Sequence, residues 1–67
     1  MSETLMYSVP AIHCTHCERS IREEVFEVEG VDEVAVDLDS KLVTVTGRRL
    51  DDAALRAAIV EAGYVAA

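Results

Sequence analysis

Two apolar stripes at helical spacing, each followed by a glycine, constrain most strongly what this 67-residue chain can fold into. In the first stripe, Ile21, Val25 and Val28 follow one another at spacings of four and three residues. Cys17 extends this stripe towards its beginning, and charged side chains fill most of the positions between. Because such spacing places apolar side chains on one face of an α-helix, the segment is predicted to be an amphipathic helix packed against a core.

The two ends of this first helix carry capping signals. Thr15 and Glu18 fit the T-x-x-E capping box, which predicts that the helix begins at His16. Gly30 is predicted to end the helix, because glycine readily adopts the left-handed conformation that follows many helices.

The second stripe lies near the end of the sequence. Asp51 is predicted to cap a second helix, with Leu50 and Leu55 placed to pack against each other at its entrance. Gly63 is predicted to end it. The buried face of this helix is predicted to consist of Leu55, Ala58, Ile59 and Ala62.

Four further segments are predicted to be β-strands, mostly because apolar residues alternate along them. They are residues 4–9, 31–38, 42–46 and 64–67. Asp39, Ser40 and Lys41 are predicted to form a turn, since Asp and Ser side chains bond to nearby turn backbone. The second and third strands would then form a hairpin that Gly47 closes.

The resulting order is βαββαβ, which is the order of the ferredoxin-like sandwich. The fold class is therefore predicted to be α+β, with a four-stranded antiparallel sheet that carries both helices on one face. No linker or low-complexity stretch interrupts the sequence, so residues 1–67 are predicted to form one domain. A chain this short has room for one small core but not for a large catalytic pocket as well, so it is not expected to be an enzyme.

The composition excludes several classes of partner. With 13 acidic and 6 basic residues, the chain carries a formal charge of -7 at pH 7. Such a charge repels phosphate backbones and anionic lipid, so nucleic-acid binding and membrane-surface binding are not expected. The acidic surface either suits a partner with a basic patch or keeps the protein soluble.

The sequence also bears on the compartment. The first residues contain no basic segment followed by an apolar run, and no apolar stretch approaches the roughly 20 residues that span a bilayer. Two cysteines are too few for the disulfide framework of a small secreted domain. The protein is therefore predicted to be cytoplasmic, with reduced cysteines and no membrane insertion.

Both cysteines lie in one short motif, Cys14-Thr15-His16-Cys17, at the predicted entrance of the first helix. The partial positive charge of a helix N-terminus favours thiolate over thiol. Thiolate pairs at this spacing either bind a soft metal ion or cycle through a disulfide. Two thiolates satisfy Cu(I), whereas structural zinc normally takes four ligands.

The cysteine motif stands within a longer pattern. It consists of the run Val9-Pro10-Ala11-Ile12-His13-Cys14-Thr15-His16-Cys17, then Ile21, Gly30-Val31, the strand pair and Ala62-Gly63-Tyr64. In this pattern the chain resembles the heavy-metal-associated domain family, and among its members the bacterial copper chaperones. The resemblance covers almost the whole chain.

The resemblance implies a function as well as the βαββαβ fold. It implies that Cys14 and Cys17 bind Cu(I) and pass it by ligand exchange to a partner, such as the metal-binding domain of a copper-transporting P-type ATPase. Ag(I), Zn(II) and Hg(II) are further metals that such a site takes. The outer side of the first helix is expected to contact the partner.

Three side chains near the motif have two interpretations each, and a fourth differs from the residue that is usual in the family. His13 and His16 are either exposed loop and cap residues or a source of a third ligand, which would favour Zn(II) or a metal-bridged homodimer. Tyr64 matches a tyrosine that is common near the metal loop of bacterial members. It is either the last core aromatic or a residue that limits solvent access to the metal. Ile12 stands where the family usually has Met, and it is expected to fill a similar volume.

Three alternatives remain at this point. A thiol–disulfide oxidoreductase also uses CxxC at a helix start, but it normally has a longer chain and a proline opposite the site, whereas Pro10 precedes the motif. The chain could also be the N-terminal metal-binding domain of a transporting ATPase, although its first methionine and its end just after the fourth predicted strand favour a free-standing protein. A mercury-binding relative would normally carry an export signal, which these first residues lack.

Overall fold

The computed structural model of the protein describes residues 2–12 and 15–66. Within these ranges, three strands and two helices follow one another along the chain. They are β1 (Glu3–Ser8), α1 (Thr15–Phe26), β2 (Val31–Asp37), β3 (Leu42–Gly47) and α2 (Asp52–Glu61).

The strands form an antiparallel sheet in the order β1-β3-β2. Tyr7 pairs with Val43, which pairs on its other side with Val36. Residues directly opposite each other point to the same face of a sheet, so these three side chains form one row on the inner face. Leu5, Val45 and Val34 form a second such row.

Both helices cover this inner face and bury their apolar stripes against it. Buried side chains of α1 and α2 join those of the sheet in a single hydrophobic cluster. Its buried members are Tyr7, Val9, Ile12, Cys17, Ile21, Val25, Val34, Val43, Val45, Leu55, Ala58 and Ile59. The predicted α+β architecture, with two helices on one face of an antiparallel sheet, is therefore confirmed.

The predicted fourth strand, residues 64–67, is not formed by the described residues 64–66, and Ala67 lies outside the described residues. The backbone of this segment completes the end of α2 instead. The N–H of Gly63 donates to the Val60 carbonyl at 2.9 Å, and the N–H of Tyr64 donates to the Ile59 carbonyl at 3.1 Å. These two bonds form a Schellman motif with Gly63 at φ +96°, as predicted for the helix end. Because the cap uses the Tyr64 N–H, that group is not available to a sheet.

The first helix ends one turn earlier than predicted. It ends at Phe26, and the N–H of Val28 donates to the Val25 carbonyl at 3.0 Å, three residues back rather than four. Such bonds tighten the last turn of a helix and satisfy carbonyls that α-helical bonds leave free. Val28 still packs against the core from outside the helix. At the other end, the helix begins at Thr15, one residue before the predicted start.

The predicted turn between β2 and β3 is formed, and its backbone hydrogen bonds are accepted by Asp37, which precedes the residues predicted to form it. The Asp37 carboxylate accepts hydrogen bonds from the N–H groups of Asp39, at 2.9 Å, and Ser40, at 3.3 Å. These bonds lower the pKa of Asp37 below its usual value, the one from Asp39 being the larger cause. Asp37, the last residue of β2, therefore organises the turn.

The N-cap of α2 is as predicted. Asp51 is the N-cap, and its side chain accepts a hydrogen bond from the Ala53 N–H at 3.0 Å. Leu50 packs against the core cluster, and Leu55 is a fully buried member of it. This arrangement fixes where α2 starts over the sheet.

A tyrosine hydroxyl ties β1 to the first turn of α2. The Tyr7 hydroxyl donates to Asp52 Oδ1 at 2.7 Å, and Arg56 Nε lies 3.1 Å from Asp52 Oδ2. Burial, and then the hydrogen bond to Asp52, raises the pKa of Tyr7 to about 12. The same hydrogen bond is the main cause that lowers the pKa of Asp52.

Gly30 and Gly47 lie where two backbone segments touch. The Arg48 N–H donates to the Gly30 carbonyl at 2.9 Å. A Cβ at Gly30 would overlap the Arg48 carbonyl oxygen, and a Cβ at Gly47 would overlap that of Gly30. Gly30 also has φ +91°, so only glycine meets both conditions there.

Within residues 2–12 and 15–66, neither helix is both long enough and apolar enough to cross a membrane.

We predict that Gly30→Ala lowers the free energy of unfolding by about 3 kcal/mol, because it adds both a backbone overlap and a strained φ. Gly63→Ala is the matched control. It has a similar φ, +96°, but nothing lies within 4 Å of its added Cβ. We expect it to cost only about 1 kcal/mol, from the strained φ alone. Urea denaturation measures both, and equal losses would contradict the role of the close contact.

We predict that Tyr7 makes the protein less stable at alkaline pH. The tyrosine of the unfolded chain ionises near its ordinary pKa of 10.0, whereas the folded one has a pKa of about 12. The folded state therefore binds more protons above pH 10, and stability falls as pH rises through this window by on the order of 2 kcal/mol. In the Tyr7→Phe variant, the free energy of unfolding should not show this part of the decrease. Urea denaturation of both proteins at about pH 8 and about pH 11.5 checks it, and parallel losses would contradict the assignment.

Candidate metal centre

One of the two predicted metal ligands, Cys17, lies in the first turn of α1 and belongs to the hydrophobic core. Its side chain is only 6% exposed. Cys14 and His13 lie outside the described residues. The described part of the candidate centre therefore consists of the chain that leads up to residue 13 and the start of α1.

The connection from β1 towards the motif is held by two backbone hydrogen bonds. The Val9 N–H donates to the Lys41 carbonyl at 2.8 Å, and the Ile12 N–H donates to the Val9 carbonyl at 3.1 Å. The first bond joins this connection to the β2–β3 turn, and the second closes a tight turn over Pro10 and Ala11. Residue 13 thus follows a segment whose path is fixed.

Two fully buried side chains anchor the same segment to the core. Val9 and Ile12 both have 0% exposure and belong to the core cluster that contains Cys17. Pro10 and Ala11, between them, are exposed. Ile12 therefore fills a core position, as expected from the volume it shares with the family's usual Met.

The helix start supplies favourable electrostatics for a thiolate at Cys17. Thr15, His16 and Cys17 are the first residues of α1, and N–H groups in the first turn of a helix have no partner within the helix. Together with the macrodipole, they give this end a partial positive charge that stabilises an anionic side chain. A thiolate is the form of cysteine that binds metal.

The other predicted residues lie around this start in different environments. His16 is exposed on the first turn of α1. Tyr64 is half-buried and packs against the core cluster that contains Cys17, while its N–H caps α2. The structure thus brings Cys17 and Tyr64 to one cluster and leaves His16 on the surface.

In the part of the chain that the structure describes, no three His, Cys, Asp or Glu side chains are grouped so as to hold a metal ion. His16 and Glu18, for instance, do not form such a group with Cys17.

Sequence reasoning did not identify Lys41 as part of this end of the molecule. Its carbonyl anchors Val9, and it has φ +62°. A lysine carries no sequence signal for such a role, because the contact is made by backbone. The preceding Asp-Ser pair marks only the turn itself.

Comparison with known proteins places this geometry in a family. The family model described as "Heavy-metal-associated domain" matches residues 6–65. The match includes the anchored connection, the cysteine motif, both helices and the whole of β2 and β3.

Two protein relatives align with nearly all of the chain. Heavy metal-associated isoprenylated plant protein 31 of Arabidopsis thaliana is 33% identical over 66 residues, which is 98% of this chain and 47% of that protein. The chain thus spans about half the length of this relative. The mercuric transport protein periplasmic component of Pseudomonas aeruginosa is 34% identical over 68 residues, covering 94% of this chain and 71% of that protein.

Among solved structures, the copper chaperone Atx1 from Synechocystis PCC6803 superimposes with a TM-score of 0.81. It is 34% identical in sequence, and the alignment covers 94% of this chain and 98% of that one.

We predict that Ile12 is needed for stability through its volume. Ile12→Ala should lower the free energy of unfolding by about 2–5 kcal/mol, because it leaves a cavity in the core. Ile12→Met preserves volume and should cost less than about 1.5 kcal/mol. Val65→Ala, at a side chain that is 73% exposed, is the control and should change stability by less than about 0.5 kcal/mol. Urea denaturation measures all three, and an Ile12→Ala loss no larger than the control's would refute the prediction.

Proposed function

Because the chain belongs to the heavy-metal-associated domain family, we propose that it binds Cu(I) through Cys14 and Cys17 and delivers it to a partner by ligand exchange. The observation that carries this proposal is the position of Cys17, which is held by the core at the start of α1 behind an anchored connection. Residues 1–67 would act as one domain, and the protein would be a carrier rather than an enzyme.

The chemistry of the two thiolates suits a carrier. Soft sulfur ligands favour Cu(I) over harder ions, and a pair of them satisfies its low coordination number. Such a site stays open to a third thiolate. A partner's thiolate forms a new bond to the ion, one bond to the carrier's sulfur then breaks, and a second exchange completes the transfer. No free ion is released at any step.

The partner we propose is a soluble metal-binding domain of a copper-transporting P-type ATPase with its own CxxC motif, in the cytoplasm. The alternative is that the chain is itself such a domain within a longer transporter. Both use the same two cysteines and the same exchange. A metal-bridged homodimer and a ligand role for His13 or His16 remain predictions within this proposal.

A second candidate metal is Hg(II). The relative from Pseudomonas aeruginosa is named as a mercuric transport protein, and a thiolate pair binds this soft ion as well. Ag(I) would behave like Cu(I). The Cu(I) proposal requires that the reduced protein competes for Cu(I) with a high-affinity chelator, at one ion per chain.

We predict that the Cys14→Ser, Cys17→Ser double variant loses Cu(I) affinity by several orders of magnitude, because hydroxyls are hard and neutral ligands. Competition with a chromogenic chelator under anaerobic conditions measures it. His16→Ala is the matched control in the same motif and should retain affinity within a few-fold if two thiolates suffice. Wild-type affinity in the double variant would overturn the proposal. A large loss in His16→Ala would show that histidine is a third ligand.

A further inference from the structure

A groove of about 1010 Å³ runs along the outer side of α1 and reaches β2. It extends from the start of α1 to the far end of that helix, where Phe26 and Val34 line it. In the part of the chain that the structure describes, β2 pairs only with β3, so it is an edge strand beside this groove. We call the part of the groove lined by Glu23, Phe26, Glu27, Asp32, Glu33 and Val34 the distal groove.

The distal groove contains an aromatic side chain that the core does not use. Phe26 is the last residue of α1 and is 58% exposed, whereas the buried stripe of the helix passes through Ile21 and Val25. Val34, on β2, is a buried core residue that lines the same groove. An exposed ring on a surface otherwise rich in charge offers apolar contact area and a π-face to a partner.

Four carboxylates line the distal groove together with this ring, and none of them is in an ion pair with another described residue. Across residues 2–12 and 15–66, the ion pairs are Arg22–Glu18 and Arg56–Asp52. The carboxylates of the distal groove, which are those of Glu23, Glu27, Asp32 and Glu33, take part in neither.

Helix stability does not explain these charges. Negative charge near the C-terminal end of a helix opposes the macrodipole, and the last turn of α1 contains no basic residue. Glu23 lies in that last turn, and Glu27 follows it directly. Glu23 and Glu27 are therefore placed where they weaken the helix and where they line the groove.

We propose that the distal groove docks an arginine-rich segment of the protein that accepts the metal, an inference that rests on the proposed function. A guanidinium stacks well on an aromatic face and pairs with carboxylates through two parallel hydrogen bonds. Phe26 lies nine residues beyond Cys17 on the same helix, roughly 13 Å along its axis. One partner surface therefore reaches both the metal end and the distal groove.

Two other occupants fit less well. A second copy of this chain would bring a net charge of -7 against these carboxylates. A strand added to the free edge of β2 would meet the register shift between Val31 and Glu33, and such bulges disrupt edge pairing. Side-chain docking of a basic segment in the groove avoids both.

The test is a titration of the reduced apo protein, at low salt, with a short blocked peptide rich in arginine. Amide chemical shifts in two-dimensional NMR report where it binds. The shifts should concentrate at Phe26, Glu27, Asp32 and Glu33, and the same peptide with glutamate in place of arginine should not bind. Added salt should weaken the interaction.

Matched variants test the assignment. Phe26→Ala should weaken binding of the peptide by about three- to ten-fold, because the ring is lost as a stacking surface. Val60→Ala removes a side chain that is also 58% exposed, but on α2, and should change it by less than about two-fold. Glu27→Gln with Asp32→Asn should weaken binding about as much as Phe26→Ala, while Glu61→Gln should not. Absence of binding, shifts centred on α2, or equal effects of the α2 controls would each overturn the proposal.

The same experiment separates this inference from the proposed function. The Cys14→Ser, Cys17→Ser double variant should bind the peptide as the wild type does, and Phe26→Ala should keep its Cu(I) affinity. Peptide binding in the groove by a protein that does not bind Cu(I) would refute the proposed function alone. Cu(I) binding without peptide binding would refute the docking surface alone.

Discussion

Burial of Cys17 in the hydrophobic core is the constraint on which the rest of the structure depends. The same cluster holds α1 and α2 on the sheet and contains Ile12, the last described residue before the motif. A chain of 67 residues has only one small core, so the stability of the fold and the position of the candidate ligand Cys17 depend on the same packing. The Cys17 side chain is thus positioned by the packing of the core.

Charge is distributed unevenly around this core. The helix start at Cys17 favours an anion, whereas the far end of the same helix carries carboxylates that form no ion pair within residues 2–12 and 15–66. The metal end and the acidic end therefore lie on one helix but differ in electrostatic character. Changes to one end need not disturb the other, because exposed charges beyond about 10 Å are largely screened at moderate salt.

The sequence was sufficient to predict the elements whose signals are local. The Asp51 cap and the glycine at the end of α2 depend on residues close together in the chain, and both are observed. Leu50 and Leu55 both join the core, as their apolar character predicts. The fourth strand was predicted wrongly for the described residues 64–66, because the pattern of a short apolar segment does not reveal that a helix cap uses its backbone.

Other features could not be predicted from the sequence because they depend on tertiary contacts. The end of α1 at Phe26 follows from a tightened last turn that the apolar spacing through Val28 does not show. The Lys41 carbonyl and the exposed ring of Phe26 acquire their roles only when distant segments meet. Of the candidate centre, the position of Cys17 at a helix start and on its buried face was predictable, whereas the anchored approach to the motif was not.

The anchoring of Val9 to Lys41 also bears on the order in which the molecule assembles. The β2–β3 hairpin joins residues that are close in sequence, whereas β1 pairs Ser8 with Leu42 and Glu3 with Gly47, which are far apart in the chain. Closing the longer loop costs more chain entropy, so we expect β1 to join a hairpin that already exists. The connection that leads to the cysteines acquires its fixed path only at that step. The metal end would then be among the last parts of the molecule to form, so that metal binding would require a completely folded protein.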